Sequence, residues 1–308
     1  MSRAALILAL AGALAALPAY AQQRDWSKTE IKSEKLAEGV YMLTGAGGNM
    51  GVSAGPDGAF LIDAEYGPLT MKINTAIAAL GGKPVRFLLN THLHGDHTSG
   101  NENFGKADVT IVAHDNVRAR MSSEQYSELF KRTTPASPAP ALPLVTFSDT
   151  ITFHLNGETI VVFHVPPGHT DGDAIVRFTQ ANVVHVGDYF FNGTYPVIDV
   201  SAGGSIDGMI ANDNLILAAI DDQTKLIPGH GPLGDRAALR VFRDMLVEAR
   251  DRILPLVEQG KTEDEVVAAQ PTASLDATWG GGFMTPERFV RMVYADLARK
   301  VGAEKKSE

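Results

Sequence analysis

Three histidines and one aspartate fall within six consecutive residues, at His92, His94, Asp96 and His97. They directly follow residues 85–89, an apolar segment typical of a buried strand. Loops at the C-terminal ends of strands are where open α/β sheets place their functional sites. Neutral imidazoles and carboxylates suit Zn²⁺, so this spacing predicts a metal site.

Three later positions each combine a potential ligand, a preceding apolar segment and flanking glycine. These positions are His169, Asp188 and His230. Glycine allows the backbone and a metal ion to approach closely. The chain contains no Cys, which excludes thiolate zinc sites, iron–sulfur clusters, disulfides and Cys nucleophiles. The same ligands could hold iron or manganese, and the number of histidines favours zinc.

These seven residues, taken in order, resemble the ligand series of the metallo-β-lactamase superfamily, and the resemblance covers residues 36–233. It implies an α+β fold, a four-layer αβ/βα sandwich with two zinc ions at one edge between the sheets. The implied ligands of the first zinc are His92, His94 and His169. Those implied for the second zinc are Asp96, His97 and His230.

The resemblance also implies roles for two further carboxylates. Asp188 would bridge the two zinc ions, and Asp63 matches an early family aspartate that supports the metal-binding loop without ligating. The best-known lactamase subclasses have cysteine where this chain has Asp188. Aspartate there resembles the glyoxalase-like and general hydrolase branches instead. Residues 192–196 and 201–205 also resemble a group of secreted bacterial members of the superfamily.

The function implied is a dinuclear zinc hydrolase that uses a metal-bridging hydroxide to cleave a small ester, thioester, lactone or amide. Asp96 would position this nucleophile and carry its proton, which makes Asp96 the expected catalytic side chain. Hydrolysis of β-lactam antibiotics is the alternative among enzymes. A non-catalytic periplasmic protein that binds or relays metal is the alternative from another functional class.

Short strand-like segments alternate with turns and helices up to residue 234. The expected strands are 40–43, 50–54, 59–63, 85–89, 108–113, 150–155, 159–165, 174–178, 182–187 and 225–228. Helices are expected over about 68–81 and 115–131. Four prolines in residues 133–143 argue against regular structure there, and we interpret this segment as a crossing loop between two halves.

The C-terminal part of the sequence is helical in pattern. Apolar residues recur at three- and four-residue steps after Asp235, which can cap the helix. Further helix starts are predicted at Thr262, where the spacing is that of a capping box, and at Thr285. The predicted organisation is a catalytic domain over residues 22–234, with helices of residues 235–308 packed on the same domain.

Residues 1–21 have the pattern of a secretory signal peptide. Arg3 is their single charge, residues 4–17 are apolar, and Ala21 ends a short stretch suited to cleavage. The apolar run is short for a membrane span, and an uncleaved N-terminal anchor is the alternative. We therefore expect a periplasmic or secreted protein with no stable membrane association after cleavage.

The composition narrows the choice of partners. The chain has 308 residues, 36 acidic and 27 basic side chains, and a net charge of −9, with 44% hydrophobic residues. This hydrophobic content is that of an ordinary folded protein. A surface that follows nucleic-acid phosphates needs clustered Lys and Arg, so we expect a small-molecule substrate and no nucleic acid. The oligomeric state stays open.

Four histidines lie outside the ligand series. His154, His164 and His185 occur in strand patterns, and we expect them to be packed or hydrogen-bonded in the core. His114 precedes a predicted helix, so it is expected at the helix start or on the surface.

Several loop residues could lie near a substrate. The glycine-rich residues 45–50 could form a mobile flap or an ordinary hairpin. Residues 279–284 could cover the site or form a loop pinned to the core. Asn192 and Tyr195 are candidate substrate contacts because they closely follow Asp188.

Overall fold

The computed structural model describes residues 24–129 and 131–307. The predicted signal peptide, residues 1–21, lies outside the described residues. In the described ranges the strands are β1 (Lys32–Ala37), β2 (Val40–Thr44), β3 (Met50–Ser53), β4 (Ala59–Ile62), β5 (Val85–Leu89), β6 (Thr110–His114), β7 (Gln125–Ser127), β8 (Arg132–Thr134), β9 (Val145–Phe147), β10 (Thr150–Leu155), β11 (Glu158–His164), β12 (Ala174–Phe178), β13 (Val183–Phe191) and β14 (Lys225–His230). The helices are α1 (Thr70–Ala79), α2 (Gly95–Thr98), α3 (Asn101–Gly105), α4 (Asp115–Met121), α5 (Ile206–Ala219), α6 (Arg236–Glu258), α7 (Glu263–Ala268), α8 (Asp276–Trp279) and α9 (Pro286–Ser307).

The strands form two large sheets and one small hairpin. The first sheet has the order β1-β2-β3-β4-β5-β6-β9, and the second has the order β10-β11-β12-β13-β14. In the first sheet β1 to β4 are antiparallel, and β4, β5, β6 and β9 are parallel. In the second sheet the last pair, β13 and β14, is parallel and the others are antiparallel. Strands β7 and β8 pair separately.

The two sheets face each other across a shared apolar core. Phe60 and Ile62 of β4 enter this core from the first sheet, and Val176 of β12 enters it from the second. Because successive side chains of a strand point to opposite faces, Leu61 lies on the outer face of the first sheet. There it belongs to the same cluster as Ile73 of α1.

The outer face of the second sheet is covered by α5 and by the C-terminal helices. Val184 and Phe190 of β13 share one buried cluster with Met209 of α5, Phe242 of α6 and Phe289 of α9. The layers therefore run helix, sheet, sheet, helix. This arrangement confirms the predicted four-layer α+β sandwich with a C-terminal helical extension.

The helix starts predicted after residue 234 are confirmed. The Asp235 carboxylate accepts a hydrogen bond from Ala238 N at 2.8 Å and caps α6. Thr262 and Glu265 form the reciprocal bonds of a capping box at α7. Thr285 Oγ1 accepts from Arg288 N at 3.4 Å where α9 begins. Each cap satisfies a backbone N–H that the first helical turn leaves without a partner.

The middle of the chain differs from the prediction in one helix and one loop. Helix α4 ends at Met121, so the helix predicted to continue to residue 131 is wrong; the chain instead forms the β7–β8 hairpin. The Ser122 hydroxyl and the Ser122 backbone N–H both donate to Arg118 O, where the last turn of α4 ends. Residues 133–143 are also not wholly irregular, because β8 reaches Thr134 and a 3₁₀ turn covers Ala139–Ala141.

Two ligand candidates lie inside strands rather than just after them. Strand β13 continues to Phe191, beyond the predicted end at residue 187, so Asp188 is a strand residue. His230 is the last residue of β14. Helix α5 was not expected from the sequence, because buried Asn212 and Asp213 interrupt its apolar pattern.

No helix in residues 24–129 and 131–307 combines the length and hydropathy needed to cross a membrane.

Candidate metal centre

The seven candidate ligands come from four segments that meet at one edge of the sandwich. The segment after β5 carries four of them, the loop between β11 and β12 carries His169, and β13 and β14 carry Asp188 and His230. Strands β4, β5 and β6 run parallel, as do β13 and β14, so their C-terminal ends lie at common edges. Sheet topology therefore brings together residues that are far apart in sequence.

The structure divides these side chains into two adjacent groups. In each group the potential ligand atoms all lie within 4.8 Å of one another. The first group is His92, His94, His169 and Asp188. The second group is Asp96, His97 and His230.

Asp188 lies between the two groups. Its Oδ2 atom is 3.4 Å from His169 Nε2 in the first group and 3.5 Å from His230 Nε2 in the second. Its Oδ1 atom is 3.2 Å from His97 Nε2. Gly229 makes this position possible, because a Cβ atom there would overlap Asp188 Oδ1. Asp188 has the location expected of a carboxylate that bridges two metal ions.

The loop that carries four of the candidate ligands is closed at both ends by amide side chains. Asn90 Nδ2 donates to Asn101 Oδ1 at 3.0 Å, and Asn101 Nδ2 donates back to Asn90 Oδ1 at 2.8 Å. Between them α2 turns the chain after His94, so Asp96 and His97 face the second group. The loop thus supplies both groups.

Asp63 orients His97 by a direct hydrogen bond and orients His92 through Thr91. Its Oδ2 atom accepts from the Thr91 hydroxyl and from His97 Nδ1, both at 2.8 Å. Because the Thr91 hydroxyl hydrogen is directed to Asp63, Thr91 Oγ1 accepts from His92 Nδ1 at 3.0 Å. The Nε2 lone pairs of His92 and His97 are then free to bind a cation. This is the supporting role expected for Asp63.

The remaining two histidines of the first group are held in the same way. His169 Nδ1 donates to Val197 O at 2.7 Å, and His94 Nε2 donates to Asp199 Oδ2 at 2.9 Å. His94 therefore presents Nδ1 to the site, where His169 Nε2 is 2.9 Å away. Asp199 was not identified from the sequence, since it lies outside any ligand spacing.

The site fits a bound metal on its own chemistry. Within the described part of the chain, His92 Nε2, His97 Nε2 and Asp188 Oδ1 are buried and make no hydrogen bond. Buried polar atoms are rarely left without a partner, and all three point into the centre. His94 Nδ1 and His169 Nε2 are also only 2.9 Å apart, so the two nitrogens must share either a proton or a metal ion. A cation would satisfy all of these atoms.

The charges of the carboxylates and imidazoles in the site are strongly coupled. Burial opposes ionisation of Asp188, but the surrounding imidazoles, His97 foremost, hold its pKa well below the usual value. Burial likewise disfavours charge on His97, yet the carboxylates of Asp188, Asp96 and Asp63 raise its pKa well above normal. The carboxylates of Asp188 and Asp96 also outweigh burial at His230 and raise its pKa to about 9. Protons on these imidazoles occupy the place that a metal ion would take.

The buried side of the first group is kept neutral. Burial lowers the pKa of His169 to about 4 and holds the pKa of His92 well below its ordinary value. Neutral imidazole is the form that ligates metals. His94 differs, because its bond to Asp199 outweighs burial and raises its pKa.

The centre opens to solvent on one side. The side chains of His94, Asp96 and His230 are 18%, 25% and 28% exposed, whereas Asp188 is 4% exposed. His92, His97 and His169 are buried. In the part of the chain that the structure describes, the exposed edge of the centre is therefore formed by Asp96, His230 and His94.

The other histidines follow the expectations in part. His185 is buried with both ring nitrogens bonded, to Asn49 O and to Gly187 N, which confirms a core role. His114 is buried and caps α4, and its ring stacks on His164 with centroids 3.7 Å apart. His154 is exposed, so its predicted core position is wrong.

The candidate substrate contacts have structural roles instead. Tyr195 is buried, donates to Asp276 at 2.8 Å and stacks on Phe289, so it does not face the site. Asn192 Nδ2 donates to Pro232 O and holds the turn after His230. Trp279 is buried, which supports the interpretation of residues 279–284 as a loop pinned to the core.

The glycine-rich residues 45–50 form an anchored hairpin connection between β2 and β3. Its backbone bonds to the metal-binding loops, as Gly48 N donates to Asp96 O at 3.2 Å and Asn49 N to Gly229 O at 2.7 Å. Of the two alternatives left open by the sequence, the contacts favour the hairpin over a mobile flap.

Comparison with known proteins agrees with this architecture. The sequence model of the metallo-beta-lactamase superfamily, Lactamase_B, matches residues 43–230, more than half of the chain. A search of curated proteins finds no significant match.

Among solved structures, this chain is similar to a metallo-beta-lactamase from Pontibacter korlensis, with 20% sequence identity and a TM-score of 0.59. The similarity covers 71% of this chain and 99% of the Pontibacter korlensis chain. The DIM-1 metallo-beta-lactamase is similar at 21% identity and a TM-score of 0.57, covering 71% and 98%. At these identities the structural likeness establishes the fold alone. The superfamily model matches more than half of the chain, and the His/Asp clusters lie together at the sheet edge. The chain therefore belongs to the metallo-β-lactamase superfamily.

Proposed function

We propose that this chain is an exported hydrolase that binds two zinc ions and cleaves a small ester, thioester, lactone or amide. The observation that carries the proposal is the meeting of seven ligand-type side chains, in which the inward atoms His92 Nε2, His97 Nε2 and Asp188 Oδ1 are buried without a hydrogen bond. His92, His94, His169 and Asp188 would hold one ion, and Asp96, His97 and His230 would complete the second position with Asp188. The donor set of five imidazoles and two carboxylates suits zinc.

A bound zinc pair supplies Lewis acidity and a water-derived nucleophile at neutral pH. The residues of the chain do the rest. Asp96 lies on the open side of the site with its Oδ2 atom towards His230, so its carboxylate could hold the second ion while orienting the attacking water and carrying its proton towards solvent. Asp188, being buried, cannot exchange protons with solvent as readily and is suited to holding the two groups together.

The basic side chains bonded to the site-forming segments are already engaged, Arg24 by Ala46 O and Arg120 by the Asp171 carboxylate, which supports an uncharged substrate group. The segments that carry the ligands and their supports are residues 45–49, 90–98, 165–173, 187–205 and 229–234. These segments contain Asp residues but no Lys or Arg. Carboxylate and phosphate groups are usually recognised by Arg or Lys. This favours esters, thioesters and lactones over β-lactam antibiotics, which carry a carboxylate.

The test compares zinc-loaded and chelator-stripped protein on a p-nitrophenyl ester, a thioester, an aryl lactone and a chromogenic cephalosporin. We expect zinc-dependent cleavage of at least one of the first three substrates, with Asp96→Asn lowering turnover by about 100-fold or more. Asp222→Asn, an exposed carboxylate paired with Arg236, is the matched control. Fastest turnover of the cephalosporin would favour a β-lactamase, and zinc binding without turnover would favour a non-catalytic metal protein.

Export rests on the sequence pattern of residues 1–21. We propose cleavage after Ala21, which would release the chain into the periplasm or the medium. N-terminal sequencing of protein recovered from the periplasmic fraction tests this directly. A first residue of Gln22 agrees with the proposal, and an intact Met1 in the membrane fraction would contradict it.

A further inference from the structure

The residues that follow Asp63 carry a buried carboxylate that the proposed chemistry does not use. Glu65 is fully buried and has a φ of 52°, in the left-handed region that non-glycine residues rarely adopt. Asp63 has a φ of 63°, so two such residues flank Ala64. Strained backbone of this kind persists only where the surroundings impose it, and it concentrates at functional sites.

The carboxylate of Glu65 binds the hairpin connection that lies over the metal centre. Its Oε1 atom accepts from Ala46 N at 2.6 Å, and its Oε2 atom accepts from Gly47 N at 2.8 Å. Each oxygen of the carboxylate therefore anchors one backbone N–H of the hairpin. The main chain of Glu65 also accepts from Gly100 N at 3.1 Å, so the residue joins the hairpin to the ligand loop.

The hairpin packs directly on the second group. A Cβ atom at Gly48 would overlap the imidazole of His97, and one at Gly47 would lie 2.7 Å from Asp96 O. The backbone of this hairpin therefore packs directly against His97 and Asp96. His97 is held between the hairpin on one side and its bond to Asp63 on another.

The same hairpin holds the segment of the third ligand. Asn49 Nδ2 donates to Pro228 O and to Gly231 O, both at 2.9 Å, on either side of His230. Asn49 O accepts from His185 Nε2 at 3.2 Å, which fixes the hairpin to β13. One short segment thus contacts both parts of the chain that supply the second group.

From these contacts we propose that Glu65 is a positioning residue that holds residues 46–49 against Asp96, His97 and His230 and so determines occupancy of the second metal position. This inference rests on the proposed zinc pair. The first group has no contact with this hairpin among the bonds described above, so its metal affinity should not depend on Glu65.

The test is a Zn²⁺ titration of chelator-stripped full-length protein, repeated with Co²⁺ so that each bound equivalent gives its own visible absorption. Glu65→Gln keeps the shape of the side chain but leaves one oxygen to accept a hydrogen bond instead of two. Its NH₂ group then faces the backbone N–H of Ala46 or Gly47. Gly48→Ala displaces the hairpin from His97 while leaving Glu65 intact. The matched controls are Glu158→Gln, a buried carboxylate that accepts from Gln180 N, and Gly302→Ala, where a Cβ atom meets open space.

We expect both test variants to bind the second equivalent at least about tenfold more weakly, with the first equivalent and both controls unchanged. Unchanged binding of both equivalents in both variants overturns this inference alone. Parallel weakening of both equivalents with a lower thermal unfolding midpoint also overturns it, because that result shows a purely structural role. A wild-type chain that binds a single equivalent overturns both this inference and the proposed zinc pair.

Discussion

Asp199 Oδ2 lies 2.9 Å from His94 Nε2, although the two residues are 105 positions apart in the chain. The bond fixes the His94 tautomer with the Nδ1 lone pair directed into the first group. A carboxylate in this position also makes the imidazole a stronger ligand.

Removing this carboxylate should weaken the first metal position. We expect Asp199→Ala to lower Zn²⁺ affinity there by about 10- to 100-fold. Asp199→Asn should have a smaller effect, because its amide oxygen can still accept from His94 Nε2. Calorimetric titration of the stripped variants measures both, with Asp222→Asn as the control. Equal affinities for Asp199→Ala and wild type would show that the bond is incidental.

Metal uptake should release protons and strengthen with pH. The pKa of His230 is raised to about 9 and that of His97 is raised well above normal, so both imidazoles are protonated at pH 7 when no metal is bound. A raised pKa means that the proton must leave before the nitrogen can ligate, so affinity rises as the pH rises towards about 9. Asp188 contributes no proton, because its pKa is lowered.

Titration of Zn²⁺ in two buffers of different ionisation enthalpy counts these protons. We expect one to two protons per chain to be released at about pH 7, and affinity to increase by about tenfold per pH unit for each proton displaced. Binding that releases no proton at this pH would contradict the assignment of His97 and His230 as ligands.

Asp188 should matter for both metal positions. Its two oxygens reach His169 and His97 in different groups, so Asp188→Asn removes the charge that both share. We expect metal content below two per chain and turnover lowered by about 100-fold or more. Metal analysis and the ester assay check this, with Asp149→Asn, an exposed carboxylate on the same molecule, as the control. Full metal content in Asp188→Asn would exclude a bridging role.

The C-terminal helices should unfold together with the sandwich. Phe242 of α6 is fully buried, with its ring centroid 5.4 Å from that of Phe190 in β13. Phe242→Ala should lower the free energy of unfolding by about 3 to 5 kcal/mol in urea denaturation. The neighbouring Val241 is 59% exposed, so Val241→Ala should change it by less than about 0.5 kcal/mol. A separate early transition for the helices would contradict one shared core.

Much of the framework was predictable because its signals are local. The apolar run of β5 followed at once by the His/Asp loop marks both a strand and a site within a few residues. Capping residues such as Asp235 and Thr262 mark helix starts in the same local way. The supporting role of Asp63 was predictable because this residue matches an early aspartate of the superfamily.

The remaining features depend on contacts between distant segments. Asp199 and Glu65 support the site through partners on other loops, and nothing in the adjacent sequence indicates those partners. The sequence predicts helix up to residue 131 because this polar segment has no strong strand alternation, whereas β7 pairs with β8 in the structure. Tyr195 follows Asp188 closely in the sequence, yet its ring is buried against Phe289.

The seven side chains that meet at the edge of the sandwich are expected to bind a pair of metal ions. Elemental analysis of protein purified without chelator and without added metal measures this directly. We predict close to two zinc ions per chain, falling to about one or fewer when His92 is replaced by Ala. Less than one tightly bound metal ion per wild-type chain would contradict the account.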